Sequence, residues 1–508
     1  MKITRKLSFI IIILLSFTIQ SCLKSTRDGI PDGVRKTLAV SGINQPNIMQ
    51  AIAYYYHPSD SMKLKAMYWL VKNMRGNYSA FYSVKDSMGK QFSFPPDHYK
   101  DYFQMERSWD SVERIYGPLT YKADSFLLDP KHINSSFLIN TIESSFNSHK
   151  KYIWSRQYSY NQFFKWILPY RCANEQVEPF RDHFLKKYGK YLLPNDSLSI
   201  IEAAFKLNNI INKEFSYSDS YNKEANVQTI SQLEKSHKGN FYDLNIYKIK
   251  ALRSFGIAAA LDYSPFLADT AFGYAWTTII LPDNSELRLE FKQKVKNLYK
   301  PGRLAKIYRR VFYRDTTSLY VIKKPGKPTP PFMGQFFYID ITEPAFSRPL
   351  LLPYYADTDF AYLSVFNMGE WHPISWSIPH KSVGTDFLKM GTNIIYLPVK
   401  QEKNHLFRLG DPIFLSEDGN YHYLSPDFSI EIPAILKKLS PNLDLNPGIK
   451  YNLYLWKGNW DFLFSFTGRK KGKIVPLPAN ALFLITDHDY LTNERIFLID
   501  NSGNQLFY

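Results

Sequence analysis

Residues 238–276 read KGNFYDLNIYKIKALRSFGIAAALDYSPFLADTAFGYAW, and the order of signals in this stretch decides the architecture of the middle of the chain. Leu244–Phe255 carries a helical pattern that stops at Gly256, a residue that ends helices because it accepts the left-handed backbone. Ile257–Tyr263 then reads as a strand, Phe272–Leu281 as a second and Glu286–Phe291 as a third. A helix followed by an antiparallel set of strands is an α+β signature.

Upstream the chain is rich in helical signals. Asn47 is a plausible cap for a helix over Ile48–Tyr56. Pro58–Ser61 breaks the pattern, and Met62–Met74 resumes it, with Leu64, Met67, Tyr68, Val71 and Met74 near 3.6-residue spacing. Residues 100–160 read as mostly helical, with Phe137, Leu138, Ile142 and Phe146 on one stripe, and residues 175–213 hold two more helices. Downstream, Lys323–Pro331 is a linker, because its prolines and glycine continue neither a helix nor a central strand. Strand signals dominate beyond it, at Phe336–Ile341, Tyr362–Phe366, Asn393–Val399 and Ile413–Leu415. An internal repeat runs through this part. Gly369-Glu-Trp371, Gly391-Thr-Asn393 and Asp418-Gly419-Asn420 recur in order as Gly458-Asn-Trp460, Pro478-Ala-Asn480 and Ser502-Gly503-Asn504, which predicts two related β-sandwich units.

The Gly239-Asn-Phe241-Tyr-Asp243 start, the Leu252-Arg253 helix end before Gly256-Ile257, and Gly273-Tyr274-Ala275-Trp276 resemble the transglutaminase-like superfamily, with its papain-type, peptide N-glycanase-like members. In that family a cysteine opens the helix and a histidine stands on a following strand. The chemistry explains the placement: the helix N-terminus and an imidazolium lower the thiol pKa, and the imidazole takes the proton. The ungapped match from Gly239 to Pro265 puts Phe241 in the place of the cysteine, and Tyr274 falls in the place of the histidine. Glu290 stands near the place of the third, orienting residue. A slip of one residue offers Asn240 or Tyr242, which are no better. The resemblance therefore implies a fold without its chemistry, and a cleft whose aromatic residues, Trp276 and Tyr242 among them, suit binding. "YWLVKNMRGNYS" at 68–79 and "ILPYRCANEQVEPFR" at 167–181 look like segments of large transglutaminase-like lipoproteins of Bacteroides-type bacteria, which extends the resemblance over most of the chain.

The first 22 residues point to export. Lys2, Arg5 and Lys6 precede an apolar run from Leu7 to Ile19, the length of a signal segment and short for a spanning helix. Ile19-Gln-Ser-Cys22 resembles a lipobox, so the expected product begins at a lipid-bearing Cys22, where more than one acyl chain, palmitate among them, gives stable anchorage. No acidic run follows Cys22, which favours an outer-membrane anchor facing the periplasm over surface display. The chain has 508 residues and a formal charge of +17; residues 1–22 supply three positive charges and no negative ones, leaving +14 on the remainder. That charge suits a general attraction to an anionic envelope rather than nucleic acid, since no dense Lys/Arg run stands out. Beyond Cys22 the only cysteine is Cys172, so no internal disulfide can form in the mature chain.

The expected organisation is a signal peptide over 1–22, a helical N-terminal region over 23–130, a transglutaminase-like domain over 131–322, a linker over 323–331, and β-sandwich-like modules over 332–430 and 431–508. The sequence calls for no cofactor and no metal: its 11 histidines show no HExxH pattern and phosphate-binding glycine loops are absent. Cys172 beside His183 is read as packing rather than as a displaced nucleophile, and His237 as a loop bystander. Tyr170 and Arg171 with Glu175 and Glu178 are read as a buried ion pair fixing a helix to the core. Three functions remain open: a catalytically inactive binding protein for peptide or glycan, an active amide hydrolase or acyl transferase with other residues, and a structural subunit of an envelope complex. Trp371, Trp376, Trp456 and Trp460 would serve the first if one or two of them faced outward to stack on sugar rings.

Overall fold

The computed structural model describes residues 29–193, 197–269, 273–290, 303–323, 325–403, 405–441, 443–487 and 495–508. The signal segment with Cys22, and Phe291, lie outside the described residues. The chain is α+β, helices prevailing in the first half and sheets in the second. It divides into two units: the first holds the described residues up to Leu261 with those of Thr277–Lys292 and Val311–Arg314, and the second holds those of Asp262–Trp276, Gln293–Arg310 and Asp315–Tyr508. Among the described residues no helix is long and apolar enough to cross a membrane.

In the first unit, helices Gln45–Ala53, Ser61–Met74 and Ser135–Lys151 are tied by Glu143, whose carboxylate accepts from Lys63 Nζ at 2.7 Å and from the Tyr55 hydroxyl at 2.9 Å. The first of these begins before Asn47, because Pro46 in its first turn has no N–H to leave unsatisfied there; Asn47 instead donates to Asn44 Oδ1 at 2.8 Å. Residues 100–160 are less helical than their composition suggests. Thr120–Leu128 is a nine-residue strand paired antiparallel with Tyr78–Lys85, which pairs also with Gln91–Phe92. Eight of its nine residues are exposed, so it carries no inward–outward alternation to betray a strand; its partner, some forty residues upstream, makes it one. The N-terminal region is thus helical with a three-stranded sheet inside it.

Helix Phe241–Ser254 is buried at every residue from Asp243 to Ser254, although it carries Lys248, Lys250 and Arg253. The segment 163–175 answers Arg253 and Lys250. Phe163–Ile167 forms a π turn, and Pro169 ends it, leaving carbonyls without intrahelical donors. Two buried guanidiniums satisfy them. Arg253 Nε donates to Trp166 O at 3.0 Å and its Nη1 to Arg171 O at 2.8 Å. Arg181 Nη2 donates to Ile167 O at 2.6 Å and to Leu168 O at 2.9 Å. Arg171 in turn is held by Asp129, each 2% exposed, with Nε 2.9 Å from Oδ2, and the Tyr170 hydroxyl donates to the same oxygen at 2.9 Å. Glu175 accepts from the backbone of Cys172 at 2.8 Å and of Ala173 at 2.7 Å and lies 3.8 Å from Lys250. Arg171 is thus buried and ion-paired, but with Asp129 rather than with the expected Glu175 or Glu178, whose carboxylates lie nearest Lys250.

The second unit contains the repeat in three dimensions. One large sheet has the order Glu370–Ser377, Ala361–Asn367, Ile394–Glu402, Ile413–Leu415, Tyr421–Tyr423, with His405–Arg408 hung on its third strand. The other has the order Trp460–Thr467, Lys450–Trp456, Phe483–Thr486, Phe497–Ile499, Gln505–Phe507. Each has a two-stranded companion, Ser347–Leu352 with Thr385–Gly391 and Asp427–Leu436 with Lys473–Ala479. The repeated motifs mark equivalent turns, and backbone geometry explains why they recur: φ is +79° at Gly369 and +95° at Gly458, +57° at Asn393 and +52° at Asn480, +89° at Gly419 and +84° at Gly503. Only glycine and, less readily, asparagine occupy that left-handed region at low cost.

Strand alternation divides the apolar residues of each large sheet between two cores. Leu363, Tyr396 and Ile394 fill a core within the first module, and Leu453, Leu455 and Phe483 one within the second. The opposite faces, Tyr362, Phe366 and Leu397 on one sheet and Trp456, Leu482 and Leu484 on the other, meet in a third core. All four tryptophans considered for sugar stacking border or fill it, with Trp371 and Trp456 ring centroids 5.6 Å apart and Trp456 and Trp460 5.1 Å apart. Trp456 is buried in it and the other three are partly buried against it; Trp376 also lines a cavity.

Asp129→Asn should leave the Arg171 guanidinium buried and half-compensated, costing about 3–5 kcal/mol. Equilibrium denaturation of native and variant chains checks this, and a loss below about 1 kcal/mol would show that the pair is not a keystone.

Candidate functional site

The start of helix Phe241–Ser254 is built by a capping box. Asn240 Oδ1 accepts from the Asp243 N–H and Asp243 Oδ2 from the Asn240 N–H, both at 3.0 Å. Asp243 also accepts from Gln228 N at 2.8 Å and Gln228 Nε2 at 3.1 Å. Burial raises its pKa above the ordinary value against these hydrogen bonds. The acid of the Gly-x-x-x-Asp start is therefore a positioning residue for the helix end. Gly239 fits because a Cβ there would stand 2.8 Å from Asp243 Cβ.

Phe241 is the first residue of the helix, half-buried and stacked on Tyr217 with centroids 4.1 Å apart and planes at 20°. Tyr242 beside it is half-buried. One turn further on, Asn245 Nδ2 donates to Phe241 O at 2.7 Å, and its Oδ1 accepts from Thr277 Oγ1 at 2.8 Å. Tyr274 and Trp276 are the first and third residues of strand Tyr274–Ile280, on one face of it, 8% and 5% exposed, with ring centroids 5.8 Å apart. Glu290 follows strand Glu286–Leu289, is exposed, and takes a 2.7 Å ion pair from Arg288 Nε. Phe241, Tyr242 and Glu290 belong to the first unit, Tyr274 and Trp276 to the second. The structure thus joins Tyr274 with Trp276 and Phe241 with Tyr217. Neither pair carries a thiol or an imidazole.

Cys172 is buried, with Sγ 3.7 Å from Arg253 Nη1, and burial pushes its thiol up to about 11, so it is protonated at neutral pH. His183 is turned to the surface, its Nε2 2.8 Å from Glu234 Oε1. His237 caps helix Ile230–Ser236 in the left-handed conformation, with Nδ1 3.2 Å from Glu214 O. Cys172 is a buried packing residue, and His183 is an exposed residue paired with Glu234. Among the described residues no group of three His, Cys, Asp or Glu side chains could hold a metal ion.

Lys248, two turns below Phe241, is a residue the sequence did not single out, since lysines in a helix ordinarily mark its solvated face. It is fully buried, and burial lowers its pKa to about 7 although the Glu290 charge opposes this.

No family model matches the sequence, and no curated protein does. Among solved structures, one from Parabacteroides distasonis, described as a "putative protease", is similar at 10% identity with a TM-score of 0.20. The alignment covers 34% of this chain and 29% of that one, a likeness too slight to fix a fold.

The lowered pKa of Lys248 has a defined consequence. A lysine with a folded pKa near 7 and an unfolded value of 10.5 costs stability most below pH 7, and stability should rise as pH climbs from about 7 towards 10.5, where the unfolded chain holds the extra proton. Lys248→Met should abolish that rise. Denaturation midpoints at pH 7 and pH 9.5 for both chains measure it; equal slopes would refute it.

Proposed function

We propose that this chain is an envelope lipoprotein, anchored through Cys22 to the outer membrane and facing the periplasm, whose transglutaminase-like, papain-type central region binds a peptide or glycan without cutting it. The observation that carries the reading is the pair of side chains at the family's nucleophile and base positions. Phe241 has no nucleophilic atom, and Tyr274, a buried phenol, is a poor base near neutral pH. Two further facts support it. The one thiol among the described residues is held protonated beside an arginine, and the aromatic pairs Tyr217–Phe241 and Tyr274–Trp276 supply faces suited to rings and apolar side chains.

Two measurements test this. Incubation of the full chain with peptide and glycopeptide panels, read by mass spectrometry for hydrolysis and transamidation, should show no turnover for native or Cys172→Ala chains. Turnover that vanishes in Cys172→Ala would replace the binding reading with an enzyme. Metabolic labelling with a palmitate analogue should mark the native chain and not Cys22→Ser; an unlabelled native chain would remove the anchor.

A further inference from the structure

The second unit holds a cavity of about 540 Å³, within the range of small-ligand sites, whose chemistry differs from that of the chain around it. Strands Tyr308–Arg310 and Tyr338–Asp340 supply one wall, and strands Glu370–Ser377 and Thr385–Gly391 another. Its charged residues are Asp315, Asp340, Asp386 and Lys306, a balance of −2 with His380 neutral, in a chain of formal charge +17. Lys306 does not cancel the field at the opening. It is 2% exposed, and its Nζ is spent on Asp340 Oδ2 and Leu388 O, both at 2.6 Å. Asp315 accepts from the Thr317 N–H at 3.1 Å, whereas Asp386 is exposed and its carboxylate takes no hydrogen bond or ion pair from the described residues.

Aromatic residues complete the lining. Tyr308 and Tyr338 meet edge to face with centroids 5.1 Å apart, and Trp376 is a third aromatic residue in the lining. The Tyr308 hydroxyl is used, donating to Ile374 O at 2.7 Å. The Tyr338 hydroxyl is not: the residue is 4% exposed, the oxygen is buried, and no hydrogen-bond partner among the described residues reaches it. Burial above all, then Tyr263 and the Asp315 charge, raise the pKa of this hydroxyl, and the Arg310 charge opposes them. A buried phenol without a partner costs free energy in the empty protein, and that cost is recovered when a ligand supplies the partner.

We propose that this cavity binds a cationic side chain of a peptide, an ammonium or guanidinium group, between the ring faces and the carboxylates. Rings and carboxylates together suit a cation better than an anion or a neutral group. A sugar would use the rings and leave the excess negative charge unanswered. A second cavity of about 790 Å³ shares Ile378 with the first and is lined by Tyr354 and Phe360, giving room for residues flanking the cationic one. Its own lysines are committed, Lys327 to Asp359 at 3.1 Å and Lys400 to Glu402 at 2.7 Å. The inference stands on the second unit alone and survives if the transglutaminase-like reading falls.

Titration calorimetry of the full chain at low salt with a blocked tri-lysine peptide, and with the same peptide acetylated on every Nε, tests it. The charged peptide should bind at least about tenfold more tightly than the acetylated one, the factor that one desolvated charge contact of about 1.4 kcal/mol gives. Asp386→Asn should weaken it several-fold. Tyr338→Phe should do the same without lowering the thermal midpoint, because the hydroxyl it removes satisfies nothing in the free protein. Equal binding of the two peptides, no binding at millimolar concentration, or binding indifferent to both substitutions overturns the proposal.

Discussion

A helix sealed from water on all sides, yet carrying two lysines, an arginine and an aspartate, sets the terms for the first unit. Each of those charges would cost several kcal/mol if left alone in the interior. Arg253, Lys250 and Asp243 have close partners. The backbone carbonyls of 166–171 collar Arg253 and Arg181, Glu175 faces Lys250, and the capping box with Gln228 encloses Asp243. The irregular path of 163–175 follows from this. A regular helix would spend its carbonyls internally and have none to offer. The π turn, the proline and the extended stretch after it are what make the segment an acceptor surface.

Hydrogen bonds of the same kind explain how the start of this helix keeps its shape. Asp243, Asn240 and Gly239 hold the backbone there through contacts that need neither thiol nor imidazole. Phe241, the first residue of the helix, is held by stacking on Tyr217. Arg181 shows the limit of such compensation: the neighbouring Arg253 adds to the burial penalty and its pKa falls to about 9, still high enough to keep the guanidinium charged at neutral pH.

Much of this was legible in the sequence, and the failures have physical causes. Helices Phe180–Tyr188, Ile200–Glu214 and Phe241–Ser254, and the strands near 260, 277 and 288, follow from local periodicity and stop signals. The repeat was legible because left-handed turns demand Gly or Asn at fixed offsets, whatever the strands between them carry. Strand Thr120–Leu128 was not legible, since a distant partner and not its own pattern makes it a strand. Asp129 was missed as the partner of Arg171 for the same reason: 42 residues separate them. Of the site, the identity of Phe241 and Tyr274 could be read, but Lys248 could not, because a helix buried all round should have no lysine there and only the fold shows that it is so buried.

The face-to-face packing of the two large sheets has a consequence for how this half of the chain can exist. Each module offers the other the apolar side of its sheet, with tryptophans at the seam. A single copy of the unit, made by itself, would turn that side to water and would be driven to pair with a second molecule. Joining the two modules in one polypeptide supplies the companion at a fixed stoichiometry and a local concentration no free monomer reaches, so the tandem is a dimer that never has to assemble.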